Sequence, residues 1–515
     1  MKIKYNIKFN FLFFATLLLL FSACDDLTVE NLNDPDESAV LSTGTDLPAL
    51  LNGAYINFWQ AVHDVHPVNA LMITSDEFGV SWGNFGGRRM GEEPRVAYNN
   101  RPSEPTDYRQ VVEDPWFGLY NSIKDANSVI RALDRGVTID NDGPADNSVR
   151  ASALFLRGVS YGYLALIFDE AMDVIETTDT DQQLPLVSYT EILERGVSDL
   201  EAGISSAGRA GADFSHSFFS GVTMDVDMFV KLSHSYAAKF LVQWPRTVTE
   251  AQQTDWAAAL AHAEEGIDFD FSPVADGNLW FSYHRFAYAD AGQGGFWARI
   301  DQRLVAAMDN SQPARYPEVI NNDEAPLANP EATSDDARLL SDYIFLEEVD
   351  FPVDRGEWHF SHYKNNRNIA DPLFAGDGTS AGPMPTFLVA DNELLRAEAL
   401  NNLGRTGEAV AIINAGTRVN RGSLPALADD ASSDDIDMAI RYERAIELNA
   451  TAPFNLWLDR RRWAEREAHT ALTPLGGLQL QSPAQLPIPS LELGVQNLDP
   501  YNFGGATDPQ GIDRF

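Results

Sequence analysis

The chain has 515 residues, of which 44% are hydrophobic and 11% aromatic, so it can bury a large core and is not globally disordered. Its formal charge is −39, from 76 acidic and 37 basic residues. A protein this acidic repels phosphate, which excludes a nucleic-acid binder. Only seven of the basic residues are Lys, and an acidic, Lys-poor globule suggests a solvated surface in a salty environment.

The N-terminus carries the pattern of an export signal. Three lysines within the first eight residues precede an apolar run from Phe9 to Leu20, followed by small residues and Cys24. The run is too short to span a membrane as a permanent helix. It resembles a bacterial lipobox, which predicts a signal peptide at 1–23 and a lipidated Cys24 at the start of a polar tether, 24–45. An ordinary cleaved signal with an incidental cysteine is the alternative.

From Leu47 onward the pattern is helical, with apolar side chains at three- and four-residue spacing. Residues 81–115 are rich in Gly, Pro, Asn and Arg and are predicted to form a loop. Asp140–Gly143 is predicted to be a surface turn rather than a calcium loop, because the ligand spacing and the closing Glu are missing. The helices are predicted at 47–59, 116–133, 149–168, 188–206, 225–243, 252–268, 300–309, 385–403, 408–420 and 434–448.

These elements predict one mainly α domain, 46–515, built from helix hairpins. Its helical scaffold comprises 46–270 and 383–465. An irregular, aromatic-rich insertion lies at about 271–382, and an irregular tail occupies 466–515. The pair 385–422 is close to the length of about 34 residues expected for a tetratricopeptide hairpin, with Gly404 placed to end its first helix in a left-handed conformation.

Three motifs that could carry other functions are better explained as structural features. Gly158-Val-Ser160-Tyr-Gly162 matches a hydrolase nucleophile elbow, but it falls within a predicted helix and lacks the preceding strand that the elbow needs. His63 and His66 have no third metal ligand at a suitable spacing. We therefore predict close helix packing for the first motif and a helix end beside a turn at Pro67 for the second.

Charged residues are concentrated near the C-terminus, and they are predicted to form a structural ion-pair network rather than an anion site. The helix at 434–448 places Arg and Glu at three- and four-residue spacing, so opposite charges lie on one face. The residues concerned are Arg441, Glu443, Arg444 and Glu447, with Asp459, Arg460, Arg461 and Arg462 extending the set.

Several segments, taken in order, resemble the SusD/RagB family of nutrient-uptake lipoproteins. The turn Ala450–Pro453 departs from the family, which more often has a Gly- and aromatic-containing turn there. The resembling segments are Cys24–Asp36, the helix Phe155–Phe168, Arg396–Gly404 continuing to Gly422, Arg441–Leu448, Phe454–Trp463 and Leu486–Leu493.

The resemblance implies a right-handed set of about four tetratricopeptide-like hairpins with irregular loop insertions. It also implies a glycan-binding lipoprotein without catalytic activity or cofactor, lipid-anchored through Cys24 in the outer membrane and facing the exterior. Such a protein captures oligosaccharide and delivers it to a TonB-dependent barrel of the SusC type. Asp25 and Asp26 resemble the family's signal for surface display.

Candidate sugar-binding residues are aromatic and polar side chains in predicted loops. Sugar rings stack their C–H faces on flat aromatic rings, while their hydroxyls need donors and acceptors. For each aromatic residue, filling the helical scaffold is the alternative role. The candidates are Trp82, Asn84, Phe85 and Arg88; Trp280, Tyr283 and Tyr288; and Phe296 and Trp297, with Trp358–Phe360 as a fourth segment.

Two other functions remain open at this point. The same scaffold could bind a peptide or another nutrient. A glycoside hydrolase would need a pair of carboxylates flanking the scissile bond, and nothing in the spacing of the acids selects such a pair.

Overall fold

The computed structural model describes residues 41–79, 84–179, 182–211, 214, 218–289, 299–315, 329–347, 361–367 and 380–515. The chain divides into two units, Met1–Ser42 and Thr43–Phe515, and every element described below belongs to the second. This unit is mainly helical, as predicted from the sequence.

The helices in the described residues are, in chain order, α1 (Asp46–His63), α2 (Val65–Thr74), α3 (Gly87–Met90), α4 (Thr106–Asp134), α5 (Pro144–Ile167), α6 (Tyr189–Ala207), α7 (Val226–Gln243), α8 (Val248–Ala251), α9 (Trp256–Glu264), α10 (Tyr283–Ala289), α11 (Gln302–Met308), α12 (Arg338–Ser341), α13 (Val389–Asn402), α14 (Thr406–Ala415), α15 (Thr417–Asn420), α16 (Ser433–Ile446), α17 (Asn455–Trp463) and α18 (Ser490–Val495). Short 3-10 turns lie at Asn84–Gly86 and His469–Ala471.

The strands are short and pair as four separate antiparallel ladders. Three of these ladders pair a strand of the region 271–382 with a partner, which gives that region local order between its loops. The pairs are β1 (Phe78–Gly79) with β5 (Arg299–Ile300), β2 (Glu170–Met172) with β3 (Leu186–Ser188), β4 (Val274–Asp276) with β8 (Ala381–Pro383), and β6 (Tyr343–Phe345) with β7 (Tyr363–Asn365).

The long helices pack on their neighbours along the chain. Helix α4 packs on α1 and α5, α5 on α6, α6 on α7, and α7 on α9; α13 then joins α9 to α14 and α16. This stacking agrees with the predicted hairpin scaffold, while the right-handed arrangement in four pairs stays a prediction. The apolar faces meet in a core that contains Trp59, Trp116 and Trp457.

The glycine motif of α5 lies at the closest helix contact. A Cβ at Gly158 would lie 2.9 Å from the carbonyl oxygen of Gly196 on α6, and a Cβ at Gly196 would lie 2.9 Å from the Gly162 backbone nitrogen. Ser160 donates to the carbonyl of Leu156 at 2.7 Å, within the helix. The prediction of close packing is therefore confirmed, and the serine is not displayed on a turn.

Several predicted boundaries are wrong, and α4 is the clearest case. It begins at Thr106, inside the predicted loop, and contains Pro115, which was expected to precede it. The buried side chains Tyr108, Val111, Pro115 and Leu119 continue one apolar stripe through the proline. Burial of this stripe outweighs the cost of about 3 kcal/mol for an internal proline.

Side-chain caps and glycines set other boundaries. Helix α2 includes Pro67 in its first turn, where proline is tolerated, so the predicted turn there is wrong. Predicted helix 252–268 is shortened to α9 because Asp255 accepts a hydrogen bond from the Ala258 amide. Predicted helix 408–420 is divided at Gly416. Gly404 has the expected positive φ of 75°.

The charged C-terminal residues form a buried network, as predicted. Arg444 on α16 donates to Asp391 at 2.9 Å and to Asp459 at 2.6 Å, and Arg462 donates to Asp459 at 2.8 Å. Arg460 and Arg461 differ, because they donate to backbone carbonyls rather than to carboxylates. These contacts hold the C-terminal tail and the ends of α5 and α7 on α17.

Candidate ligand-binding site

Two of the candidate segments adjoin the β1–β5 ladder in the sequence. Gly79 pairs with Arg299 in antiparallel register, so the chain that leaves β1 and the chain that enters β5 attach at the same end of the ladder. The chain that leaves β1 continues into residues 80–83, and the chain that enters β5 comes from residues 290–298. Trp82, Phe296 and Trp297 fall in these two stretches and lie outside the described residues, as does the fourth segment, Trp358–Phe360.

Phe85 and Arg88 are accessible side chains that follow β1 in the chain. Phe85 lies in the 3-10 turn that begins at Asn84, with a φ of 55°, and its ring is partly exposed. A left-handed conformation is unfavourable for a bulky residue, and such strain is often found at binding sites. Arg88 is exposed on α3. These two residues therefore offer one ring and one guanidinium to solvent.

The other described candidates are buried beneath them. Tyr283 and Tyr288 on α10 are 3% and 0% exposed, and Trp280 is 9% exposed with its ring 5.2 Å from that of Trp59. Burial raises the pKa of both tyrosines, so their hydroxyls stay protonated. These three residues are packed in the core. They therefore fill the helical scaffold, which is the alternative role that the sequence left open.

Asn69 on α2 connects the accessible turn to the buried tyrosines. Its Nδ2 donates to the carbonyl of Phe85 at 3.3 Å, and its Oδ1 accepts from the Tyr283 hydroxyl at 2.6 Å. The Phe85 ring also lies edge-on to His66 at 5.6 Å. Sequence reasoning did not identify Asn69, because nothing in its neighbours distinguishes it from an ordinary buried position on an apolar helix.

The histidine pair of α1 and α2 does not form a metal site. His63 stacks on Trp59, with 3.8 Å between the ring centroids, and burial lowers its pKa. His66 contacts Asp114 instead, at 2.8 Å. The described residues contain no cluster of three or more His, Cys, Asp or Glu side chains that could hold a metal ion.

The predicted surface turn at Asp140–Gly143 also has a structural role. Asp140 accepts hydrogen bonds from the amides of Ala145 and Asp146, at 2.9 and 3.2 Å, in the first turn of α5. Its carboxylate thus satisfies helix amides that have no partner within the helix. The motif therefore caps α5, in agreement with the prediction.

A cleft with a volume of about 670 Å³ lies on the helical scaffold. Its lining includes apolar residues of α13 and α14, such as Leu394 and Ile412, together with the charged Arg421 and Glu447. Arg421 donates to Glu447 at 2.6 Å and to Asp342 at 2.9 Å, so these charges are mutually compensated. Sequence reasoning missed this cleft, although most of its lining comes from the predicted helix pair 385–422.

None of the helices in the described part of the chain combines the length and the apolar character that a membrane span needs.

The family comparison matches residues 346–485 to the SusD family. No curated protein matches the chain. Among solved structures, a SusD superfamily protein from Parabacteroides distasonis has a TM-score of 0.61 at 14% identity, covering 88% of this chain and 98% of the other. A SusD-like carbohydrate-binding protein from Bacteroides vulgatus has a TM-score of 0.57 at 15% identity, covering 82% and 83%.

A SusD-like carbohydrate-binding protein from Bacteroides fragilis is also similar, with a TM-score of 0.54 at 14% identity and coverage of 82% and 87%. The molecule thus has the mainly helical fold of the SusD superfamily. The match at 346–485 adds the sequence signal of the SusD family, and together these findings confirm the predicted resemblance to the SusD/RagB family.

Proposed function

We propose that this protein is a glycan-binding lipoprotein of the cell surface, which captures oligosaccharide and delivers it to a TonB-dependent outer-membrane transporter of the SusC type. The observation that carries the proposal is the SusD family match at 346–485 within a chain that has the SusD superfamily fold. Two structures of similar fold belong to proteins described as carbohydrate-binding, which favours a sugar as the cargo. The protein acts by binding, without catalysis or a cofactor.

The glycan surface is proposed at the end of the β1–β5 ladder. Phe85 and Arg88 are accessible there, and the adjoining stretches carry Trp82, Phe296 and Trp297. Aromatic rings stack on the C–H faces of sugars, and the guanidinium of Arg88 donates to hydroxyls. Asn84, at the start of the same turn, is a further candidate. Trp280, Tyr283 and Tyr288 support this surface from below.

A retention assay tests the proposed surface. The mature protein is run on native affinity gels that contain one neutral or acidic polysaccharide each, and retention identifies the glycan. Phe85→Ala, Trp82→Ala and Trp297→Ala are expected to weaken retention at least several-fold with little change in melting temperature. Phe117→Ala is the control, because Phe117 is a partly exposed phenylalanine of α4 that belongs to none of the candidate segments.

The same assay separates the competing functions. Release of sugar products during incubation would indicate a hydrolase, and retention without cleavage supports capture. Failure to retain any glycan, together with binding of peptides, would contradict the proposal and favour the same scaffold with a peptide cargo.

The membrane anchor and the transporter partner need separate tests. Cys24 is the only cysteine in the chain and follows an export signal, so we propose that it carries the lipid that holds the protein at the outer membrane. Cys24→Ser is expected to move the protein from the membrane fraction to the soluble fraction. Purification from membranes in mild detergent is expected to recover a SusC-type barrel with the wild-type protein.

A further inference from the structure

Two histidines face each other on neighbouring helices of the scaffold. His234 lies on α7 and His262 on α9, and their Nδ1 atoms are 2.9 Å apart with the ring planes inclined by 46°. Both side chains are partly exposed, so small solutes can reach them. A pair of imidazole nitrogens at this distance either shares one proton in a hydrogen bond or presents two lone pairs to a cation.

A carboxylate on a third helix favours a lone pair on Nδ1 of His262. Glu201 on α6 has its Oε1 atom 3.6 Å from Nε2 of His262. A negative charge at this position stabilises the tautomer that carries its proton on Nε2 and leaves the lone pair on Nδ1, the atom that faces His234. Carboxylate, histidine and metal occur in this order in many protein metal sites.

The spacing of the two nitrogens selects a class of metal. With metal–nitrogen bonds of about 2.0–2.1 Å, a nitrogen separation of 2.9 Å corresponds to an angle of about 90° at the metal. Such an angle suits square-planar or tetragonal coordination better than tetrahedral, and imidazole ligands in that geometry favour Cu²⁺ or Ni²⁺. Calcium and magnesium prefer oxygen ligands and do not fit.

We propose that His234 and His262 bind a divalent transition-metal ion, most tightly Cu²⁺, with Glu201 as a positioning residue. Water completes the coordination shell, because the described residues offer no cluster of three or more His, Cys, Asp or Glu ligands. The ion joins α7 to α9 and so stabilises the helical scaffold. This site is independent of the proposed glycan surface.

Calorimetric titration of the mature protein with CuCl₂, NiCl₂ and ZnCl₂ tests the proposal, with CaCl₂ and MgCl₂ as controls. We expect one high-affinity site for Cu²⁺, weaker binding of Ni²⁺ and Zn²⁺, and a rise in melting temperature of a few degrees with saturating Cu²⁺. Paramagnetic resonance of the Cu²⁺ complex is expected to show coupling to two nitrogens. An adventitious ion on the acidic surface would show oxygen ligands only and would overturn the proposal.

Variants identify the ligands. His234→Gln and His262→Gln are each expected to abolish the high-affinity site, while Glu201→Gln weakens it about 10- to 100-fold. His469→Gln is the control, because His469 lies on a 3-10 turn of the tail and belongs to no part of the pair. A variant could lose the site simply by unfolding. The titrations are therefore carried out at low temperature, and circular dichroism is used to show that each variant is folded. Retention of the Cu²⁺ site in His234→Gln would show that the pair is an ordinary hydrogen bond.

Discussion

At the scale of single residues, the arginines are the unusual feature of this molecule. Twelve arginines and Lys239 are buried among the described residues, and most of their guanidinium groups contact carboxylates or backbone carbonyls. Arg246 and Arg461 donate to carbonyls at the C-terminal ends of α5 and α7, where the helix dipole favours positive charge. The core is therefore held together by charged groups as well as by apolar contacts.

Removing one buried guanidinium should be costly, because the buried carboxylates that it contacts lose part of the positive charge that compensates them. Arg444→Met deprives both Asp391 and Asp459 of a charge partner, and we expect a loss of about 3–5 kcal/mol in the free energy of unfolding. Arg405→Met is the matched control: Arg405 pairs with Glu408 on the surface, where solvent screens the pair, and its loss should change the free energy of unfolding little. Urea unfolding measures both. Equal losses would contradict this account.

Glu77 provides a second prediction at this scale. Burial raises the pKa of this carboxyl to about 7, although the Ala450 amide and Asn449 donate hydrogen bonds to it. Between about pH 4.5 and pH 7 the folded protein therefore holds a proton that the unfolded chain releases. The contribution of Glu77 to stability falls as the pH rises through this window, by on the order of 3 kcal/mol.

Glu77→Gln should remove this pH-dependent contribution to stability, since the amide stays neutral and its oxygen can still accept both hydrogen bonds. The variant is expected to gain stability relative to the wild type as the pH is raised from 4.5 to 7 in chemical denaturation experiments. A constant difference between the two proteins across this range would show that Glu77 titrates normally.

At the scale of elements, the distance between α5 and α6 depends on glycines that no side chain can replace. A Cβ at Gly162 would lie 2.1 Å from a ring carbon of Phe240 on α7. The contact of α5 with α7 therefore requires glycine at 162, whereas Gly158 and Gly196 allow the close approach of α5 to α6.

Gly162→Ala is expected to destabilise the protein by about 1–3 kcal/mol, because Phe240 must leave its position in the core. Gly53→Ala is the control, since a Cβ at Gly53 in α1 meets nothing within 4 Å. That substitution should stabilise the helix by up to about 1 kcal/mol. Opposite signs for the two variants in thermal or urea unfolding are the expected result, and the same sign would contradict the packing argument.

At the scale of the whole molecule, the buried arginines leave the surface strongly acidic. The chain carries a charge of −39, and only seven basic residues among the described residues are exposed rather than buried or half-buried. Exposed acidic groups that lack nearby cations repel one another and destabilise the compact state. The seven are Arg88, Arg101, Lys124, Arg135, Arg209, Arg405 and Arg514.

Salt should therefore stabilise this protein. Raising NaCl from about 0.05 to about 0.5 M shortens the screening length to a few ångströms and weakens surface repulsion, while the buried ion pairs are affected much less. We expect the melting temperature to rise by several degrees, and KCl to have the same effect. A melting temperature that falls with salt would mean that attractive surface pairs dominate.

The sequence by itself determined the mainly helical class, the order of the long helices and the structural role of the glycine and arginine motifs. Apolar spacing within a helix is a local property, so it can be read without knowing what the helix packs against. The presence of an ion-pair network was predicted from the local concentration of charge, but the partners of Arg444 lie on other helices and only the tertiary structure identifies them. The accessible part of the candidate site could be predicted in the same way, because Phe85 and Arg88 lie in a segment with loop composition.

The tertiary structure alone decided which of the aromatic candidates are buried, where α4 begins, and which cleft forms on the scaffold. The buried hydroxyl of Tyr283 donates its hydrogen bond to Asn69, more than two hundred residues earlier in the chain, and Pro115 is helical because other helices cover its apolar stripe. The side chains of His234 and His262 meet only because α7 packs on α9. Contacts of this kind join segments that carry no signal of one another, since their energy depends on the packing of the whole chain rather than on any local pattern.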